Sequence, residues 1–347
     1  MNAQKSSASE TVALADEAKA KSLVPLWAVY KNIMSTEPAP ACAAAHWSYE
    51  EVRPLLMRAA REISTEEAER RVLLLRNPGL DKPFATHTLG CGLQVLLEGE
   101  VEGAHRHTPA ALRLVIEGDG AYTTTDGERM WMKPGDVITT PSWTWHDHGK
   151  INEGEMIWLD GIDVPLVNFL HLNFTEYGEE GQQQALTVCD GDSHWRYGSG
   201  LMPLSGGRNR PYSPIYHYPY ARSREVLGQL SRDGGWDACH GLKLRLTNPR
   251  TGGNFMPTIA GFMQLLPAGF SSAPVRSTDA QIFSVVEGSG RVHVADRSFA
   301  FNAHDVFVVP NWTDMRLDIG SETVLFSYSD RAMQENLSLW RERRGDS

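Results

Sequence analysis

The sequence predicts a mainly β protein: two antiparallel β-barrels of one architecture, with a helical segment before them and a helix after them. Two observations carry this. From about residue 72 to 170, and again from about 243 to 328, short runs rich in Val, Ile, Leu, Thr and Trp alternate with Gly, Pro and Asp turns, the texture of antiparallel strands. These two stretches are also copies of one another. Setting "THTLGCGLQVLLEGEVEGAHRHTPAALRLVIEGDG" against "PTIAGFMQLLPAGFSSAPVRSTDAQIFSVVEGSG" places Thr88 on Thr258, Gln94 on Gln264, Gly99 on Gly269, Glu117 on Glu287, Gly118 on Gly288 and Gly120 on Gly290, each 170 residues apart. Asp136, Pro141 and Trp143 then fall on Asp305, Pro310 and Trp312, 169 apart.

In chain order, residues 1–75 form a helical segment. About the first fifteen have few apolar anchors and are expected to fray. Ser48 and Glu51 fit a capping box opening "SYEEVRPLLMRAAREI", and "TEEAERR" is a second short helical piece. Residues 76–170 make the first barrel. Residues 171–245, rich in Gly, Pro, Tyr and His, are an ordered connector, because a structureless loop of that length is unusual; they include one helical run, "SREVLGQLSR". The second barrel spans 246–330. Residues 331–347 predict a helix with Met333, Leu337 and Trp340 packed along one face.

Bulk composition excludes several function classes. The 347 residues are 41% hydrophobic and 22% charged, ordinary for a soluble globular protein, and the net charge is −10 with scattered basic residues. That argues against nucleic acid and anionic membrane as partners. No run reaches the roughly 18 apolar residues of a transmembrane helix, and the N-terminus lacks the apolar core of a secretory signal. Cys42, Cys91, Cys189 and Cys239 lie far apart with no CxxC pair, as expected of reduced cytoplasmic thiols.

The chemistry is concentrated in four of the twelve histidines: His105 and His107 in "GAHRHTPAALR", His146 and His148 in "PSWTWHDHG". Residues two apart on a strand share a face, so His105 and His107 present their imidazoles side by side, and His146 arrives from a second strand. In the other copy these positions hold Val275, Ser277 and Met315, and Arg113 faces Phe283. Histidines kept by only one copy are not required by the fold. Three neutral nitrogens on one side of an ion leave coordination positions open, which suits catalysis rather than a closed structural site. His148 is either a fourth ligand or a group acting behind the ligands or on protons.

The spacing resembles the cupin superfamily. Its first motif runs here as Gly99, five residues, His105-Arg106-His107, three residues, Ala111, six residues, Gly118; its second as Gly135, five residues, Pro141, Trp143, two residues, His146. Ala111 stands where an acidic ligand is usual, and Trp143 where glycine is usual. A bicupin, two double-stranded β-helix (jelly-roll) barrels with only the first carrying ligands, resembles the gentisate 1,2-dioxygenase family, which includes salicylate and 1-hydroxy-2-naphthoate dioxygenases. "ERRVLLLRNPGL", "WHDH", "WLDGIDVP", "NPRTGG" and "MPT" support the resemblance from residue 24 to 340. It implies Fe(II) on His105, His107 and His146. It implies extradiol-type opening, with O2, of a small aromatic hydroxycarboxylate between its carboxylated and hydroxylated carbons (EC 1.13.11). It also implies a homotetramer.

Further residues follow. Arg113 in the apolar run "ALRLVIEG" must meet a carboxylate, either the substrate's, which the resemblance favours, or that of Glu117 or Asp160. Asp160 can orient a histidine or Arg113. Gln94 can bond a substrate oxygen, although its twin Gln264 allows a purely structural role. Trp143 and Trp158, with Trp145, can wall a flat ring, although the counterpart Trp312 gives Trp143 an equal packing role. Gly90 and Gly92 are placed beside the ring, and Gly90 stands where many relatives carry a bulky aromatic, which widens the pocket toward substituted salicylates or a fused ring. The alternatives are another cupin metalloenzyme, such as a Zn or Mn isomerase or hydrolase or a different dioxygenase, and a non-catalytic ligand-binding cupin, for which ligands would be lost from both barrels.

Overall fold

Four antiparallel sheets form the framework of residues 40–347. The structure, a computed structural model, describes residues 8–179, 182–205 and 210–345. Residues 1–39 form a separate unit. It holds helices Ala8–Ala20 and Leu26–Ile33, so the N-terminus is helical from residue 8 where fraying is expected; residues 1–7 lie outside the described residues. The helix rests on alanine propensity and a Glu17–Lys21 pair at 2.8 Å, not on apolar anchors.

The first half pairs His217–Tyr218, Val137–Thr140, Ala111–Gly118, Glu155–Ile162, Gly90–Leu97 and Val72–Leu74 in one sheet, and Thr175–Tyr177, Val101–His107, His146–Lys150, Ala121–Thr125 and Glu128–Trp131 in another. The second half repeats this order. Ala45–Trp47, Val306–Val309, Gln281–Glu287, Thr323–Ser329, Ala260–Leu266 and Leu242–Arg245 form one sheet. Arg297–Phe301, Gly290–Val294, Met315–Ile319, Val275–Ser277 and Glu342–Arg344 form the other. Register repeats as well: His105 pairs with His146, and Val275 with Met315.

The interiors differ. Between the second half's sheets lie Val275, Phe283, Val292, Phe301, Phe307, Met315 and Leu317, with Phe283 and Phe307 stacked at 4.8 Å. Each such burial stabilises by about 1.5–3 kcal/mol. The first half instead buries His105, His107, His146, His148, Gln94, Glu102 and Arg113. The two six-stranded sheets contribute to one core between the halves, from Leu93, Val95, Leu112 and Leu114 to Met263, Leu265, Ile282 and Phe326.

The repeat extends beyond the barrels, and its leading segments are exchanged. Strand Ala45–Trp47 pairs with Val306–Val309 of the second half; its counterpart His217–Tyr218 pairs with Val137–Thr140 of the first. Helix Tyr49–Glu62 does begin after Ser48, but no Ser48 side-chain bond caps it. Instead Asp305 Oδ1 accepts from Tyr49 N at 2.8 Å and Oδ2 holds His46 at 3.0 Å. Asp136 does the same for Tyr220 N (2.8 Å) and His217 (2.8 Å) at the start of helix Tyr220–Leu230. A second exchange joins the halves: Thr88 donates to Asp330 at 3.0 Å and Thr258 to Asp163 at 2.5 Å. The connector also contains helix Asp192–Tyr197 and strand Thr175–Tyr177.

The C-terminal helix is short, Arg331–Asn336. It buries Ala332 and Gln334; Leu337 is exposed and Trp340 lies past the end, so the apolar stripe does not form. Ser338 at φ 59° turns the chain, and Glu342–Arg344 becomes a strand on Val275–Ser277. Trp143 (φ 61°) and Trp312 (φ 53°) both occupy the left-handed region that glycine takes most easily. Their N–H groups donate to His107 O (2.9 Å) and Ser277 O (2.6 Å). That turn brings the following strand back beside the first histidine pair.

Burial raises Asp163 to about 6 and Asp330 to about 7, both from 3.8. A folded carboxyl with a raised pKa holds its proton more tightly than the unfolded one. Their contribution to unfolding free energy therefore falls as pH rises from about 4 toward about 7 and levels off above, while the buried neutral histidines of the first half contribute in the opposite sense. The part due to Asp330 is read as a difference: Asp330→Asn should gain urea stability relative to wild type between pH 5 and pH 8, and a pH-independent difference would show that Asp330 contributes nothing to it.

Candidate metal centre

His105 and His107 lie on Val101–His107, and His146 on the neighbouring strand directly opposite His105. Their ring centroids are 4.1 Å (His105–His146), 4.7 Å (His107–His146) and 5.7 Å (His105–His107) apart. One nitrogen of each lies within 4.8 Å of the others, the one such buried group among the described residues. In every ring Nδ1 bonds a backbone carbonyl two residues away: Gly103 O at 3.0 Å, Pro109 O at 2.7 Å, Thr144 O at 2.9 Å. An Nδ1–H donor leaves Nε2 as the lone pair. His146 Nε2 is buried with no hydrogen-bond partner. Burial first, then neighbouring cations and rings, lowers His105 to about 3 and His107 to about 4 and lowers His146 strongly. Three neutral imidazoles with converging Nε2 atoms, that of His146 without a partner and that of His105 facing Arg70, fit a divalent cation of imidazole preference.

His148 is not in that group. It shares the strand with His146, its ring 5.9 Å away, and its Nδ1 is 2.9 Å from Thr123 Oγ1. Its Nε2 is buried and bare. Trp158, fully buried, lies 5.8 Å from that ring and donates through Nε1 to Asp160 Oδ2 at 3.0 Å. Asp160 Oδ1 faces Arg113 Nε at 3.3 Å, the two residues being register partners, and Arg113 Nη1 donates to Thr140 Oγ1 at 3.3 Å. Of the two internal carboxylates weighed for Arg113, the partner is Asp160; Glu117 pairs with Arg53 at 2.6 Å. Burial raises the Asp160 pKa, and Arg113 pulls it back down.

Gln94 Nε2 donates to Glu102 Oε1, a residue the alternation conceals. Counting by twos from His105 and His107 puts Glu102 on the outer face. A register shift between Glu102 and His105 turns it inward. Burial raises it to about 7, and Arg70 opposes the rise. Arg70 is the second residue the sequence does not announce, lying in "TEEAERR" beyond the helix Thr65–Ala68. Its Nη2 donates to His105 Nε2, and its Nε stands 3.7 Å from Glu102 Oε2. A cavity of about 700 Å³ opens on Arg70, Glu102, His105 and Tyr177.

Trp143 lies elsewhere. Its ring meets Phe174 at 4.6 Å and, with Trp145, holds the Arg106 guanidinium at 4.5 and 4.8 Å. Arg106 sits between the paired histidines and faces the opposite way, so packing accounts for Trp143. At Gly90 an added Cβ would meet Ile162 Cγ2 at 3.0 Å; at Gly92 it would press on Val72 Cγ1 at 2.6 Å.

A duplicated jelly-roll fold with three histidines clustered on one barrel defines a cupin with a candidate metal site, and residues 92–162 match the Cupin domain family. The chain belongs to the gentisate 1,2-dioxygenase family of ring-cleaving dioxygenases. It is 46% identical to a gentisate 1,2-dioxygenase of Aquipseudomonas alcaligenes over 93% of both chains. It is 34% identical to a 1-hydroxy-2-naphthoate 1,2-dioxygenase of a Nocardioides species, over 91% of this chain and 83% of that one. A salicylate 1,2-dioxygenase structure from Pseudaminobacter salicylatoxidans superposes with a TM-score of 0.88 at 30% identity, covering 98% and 99% of the two chains.

Proposed function

We propose that the protein is an Fe(II)-dependent dioxygenase that opens a small aromatic hydroxycarboxylate, gentisate or a salicylate-type relative, between its carboxyl- and hydroxyl-bearing carbons. The observation that carries this is the convergence of three Nδ1-anchored imidazoles beside two guanidinium groups, Arg70 and Arg113. His105, His107 and His146 would hold iron through Nε2. With no carboxylate ligand, a bound Fe(II) supplies a strongly positive centre with open positions for substrate oxygens and O2.

The chain's own groups do the rest. Arg113, fixed by Asp160 and Thr140, and Arg70 offer donors suited to the substrate carboxylate. Trp158 walls the interior against the flat ring. His148, neutral because burial lowers it well below 6.5, presents Nε2 to accept the substrate's hydroxyl proton. Gln94, tied to Glu102, positions a substrate oxygen. Apolar Leu26, Trp27, Tyr30 and Ile33, each more than half exposed, support a homotetramer, in which such surface is covered. The free thiols Cys42, Cys91, Cys189 and Cys239 support a cytoplasmic location; no described helix is long and apolar enough to cross a membrane.

Oxygen uptake measured with gentisate, salicylate and 1-hydroxy-2-naphthoate in parallel tests the assignment, using Fe-, Mn- and Zn-loaded protein. Uptake with Fe alone, on at least one of these rings, is expected; ring-independent activity or activity with Zn would overturn it. Gly90 sets a further expectation. Gly90→Trp, which must also displace Ile162, should raise KM for 1-hydroxy-2-naphthoate about tenfold more than for gentisate, a difference of about 1.4 kcal/mol. Equal effects on the two substrates would remove Gly90 from the ring pocket.

A further inference from the structure

The second half has lost the histidines but not its cavity. About 280 Å³ remains in it, lined by His240, Lys243, Phe262, Asp279, Trp340 and Glu342 among others. Lys243 is its central feature. Lys243 pairs in register with Gln264, as Val72 pairs with Gln94 in the first half. So an ammonium stands where the other copy has a valine. Its neighbours also replace site residues: Phe262 stands in for Gly92 and Phe283 for Arg113. The Lys243 Nζ lies 4.8 Å from the Phe262 ring and 5.6 Å from that of Phe283.

The other lining cations are matched by carboxylates. Arg245 and Arg331 share Glu335 at 3.1 and 2.8 Å, and Arg344 takes Glu342 at 2.7 Å and Asp237 at 2.6 Å. Lys243 makes no ion pair and no hydrogen bond among the described residues. A half-buried ammonium set against aromatic rings, with Asp279 and Glu342 acting on it only from beyond ion-pair distance, favours an anion beside it. Its burial is felt in its pKa, lowered to about 8. A metal is not the missing partner: Glu342 is occupied by His240 at 3.3 Å and by Arg344, and Asp279 accepts from Trp340 Nε1 at 3.0 Å. The walls suit a flat molecule. Phe262 forms one side, and Trp340, itself 3.7 Å under the Arg331 guanidinium, forms another. A cavity of roughly 150 Å³ already takes up benzene, so 280 Å³ admits a ring with a carboxylate.

We infer that the second barrel's cavity is a binding site for a small planar carboxylate, its anionic group on Lys243 and its flat face between Phe262 and Trp340. This stands independently of the chemistry assigned to the first barrel. Two sources share the ligand chemistry, an aromatic carboxylate and an unsaturated aliphatic acid of the kind ring opening releases.

The test is protection of Lys243 from reductive methylation in the full-length, metal-loaded protein, read by peptide mass spectrometry. Among the described residues no lysine lines the cavity at His105, so protection reports the second barrel directly. Benzoate at ten times its Kd should slow Lys243 labelling about tenfold while exposed Lys82 labels unchanged. Protection by maleate but not benzoate would assign the aliphatic source, and protection by benzoate alone the aromatic one; either supports the site. In equilibrium dialysis with whichever of the two acids protects, Lys243→Met should bind one equivalent fewer than wild type, whether or not the first barrel also takes that acid, while Lys243→Arg keeps it and turnover is unchanged in both. Unprotected Lys243 with both acids, or equal stoichiometry in Lys243→Met, overturns the inference.

Discussion

Alanine in place of His105 should strip the first barrel of iron. Replacing even a group that merely orients a ligand costs ten- to a hundredfold in metal affinity. Removing one of three ligands, with no carboxylate in reserve at Ala111, should cost about a hundredfold or more and take turnover with it. Folding should survive. The His105 pKa, lowered to about 3 by burial and by Arg70, keeps the ring neutral in the folded protein, so removing it strands no buried charge. Iron content by elemental analysis, together with oxygen uptake, checks this. Full iron and full turnover in the variant would remove His105 from the ligand set, and with it the assigned chemistry.

Methionine at Arg113 should have the largest effect on stability. The change leaves the Asp160 carboxylate without its counter-charge beside Trp158. Breaking a buried pair from one side costs about 3–5 kcal/mol. Adding Asp160→Asn removes the stranded charge and should restore most of the loss in urea unfolding. Turnover divides the two roles weighed for Arg113. If the guanidinium also takes the substrate carboxylate, the double variant refolds to near wild-type stability yet stays slow, with KM raised. Recovery of turnover along with stability would make Arg113 a structural residue only.

The duplication and the clustering of His105, His107 and His146 are legible because both depend on short-range spacing. Turn glycines recur at a fixed offset, and HxH on a strand can only present two rings to one face. What alternation hides is any residue whose side is reset by an irregularity. Glu102 turns inward through the register shift before His105, and Arg70 enters beyond a four-residue helix whose following residue, Glu69, has φ 57°. Trp143 misleads for the opposite reason: an aromatic beside a metal motif suggests a wall, whereas here it occupies a turn position normally given to glycine. The capping of Tyr49–Glu62 is invisible locally, since its acceptor, Asp305, is supplied from 256 residues away. The clue lies in "HWSY" and "HYPY", which repeat His46 and Tyr49 as His217 and Tyr220, a similarity too brief to register alone.

That crossed arrangement makes the copy without the histidines structurally necessary to the other. Sever the chain near residue 210 and neither piece is whole: the first keeps Ala45–Trp47 but lacks the His217–Tyr218 strand that borders its own sheet. Asp136 and Asp305 would each face water with nothing to anchor. Each copy thus borders the other's sheet, and neither half carries its own full set of edge strands.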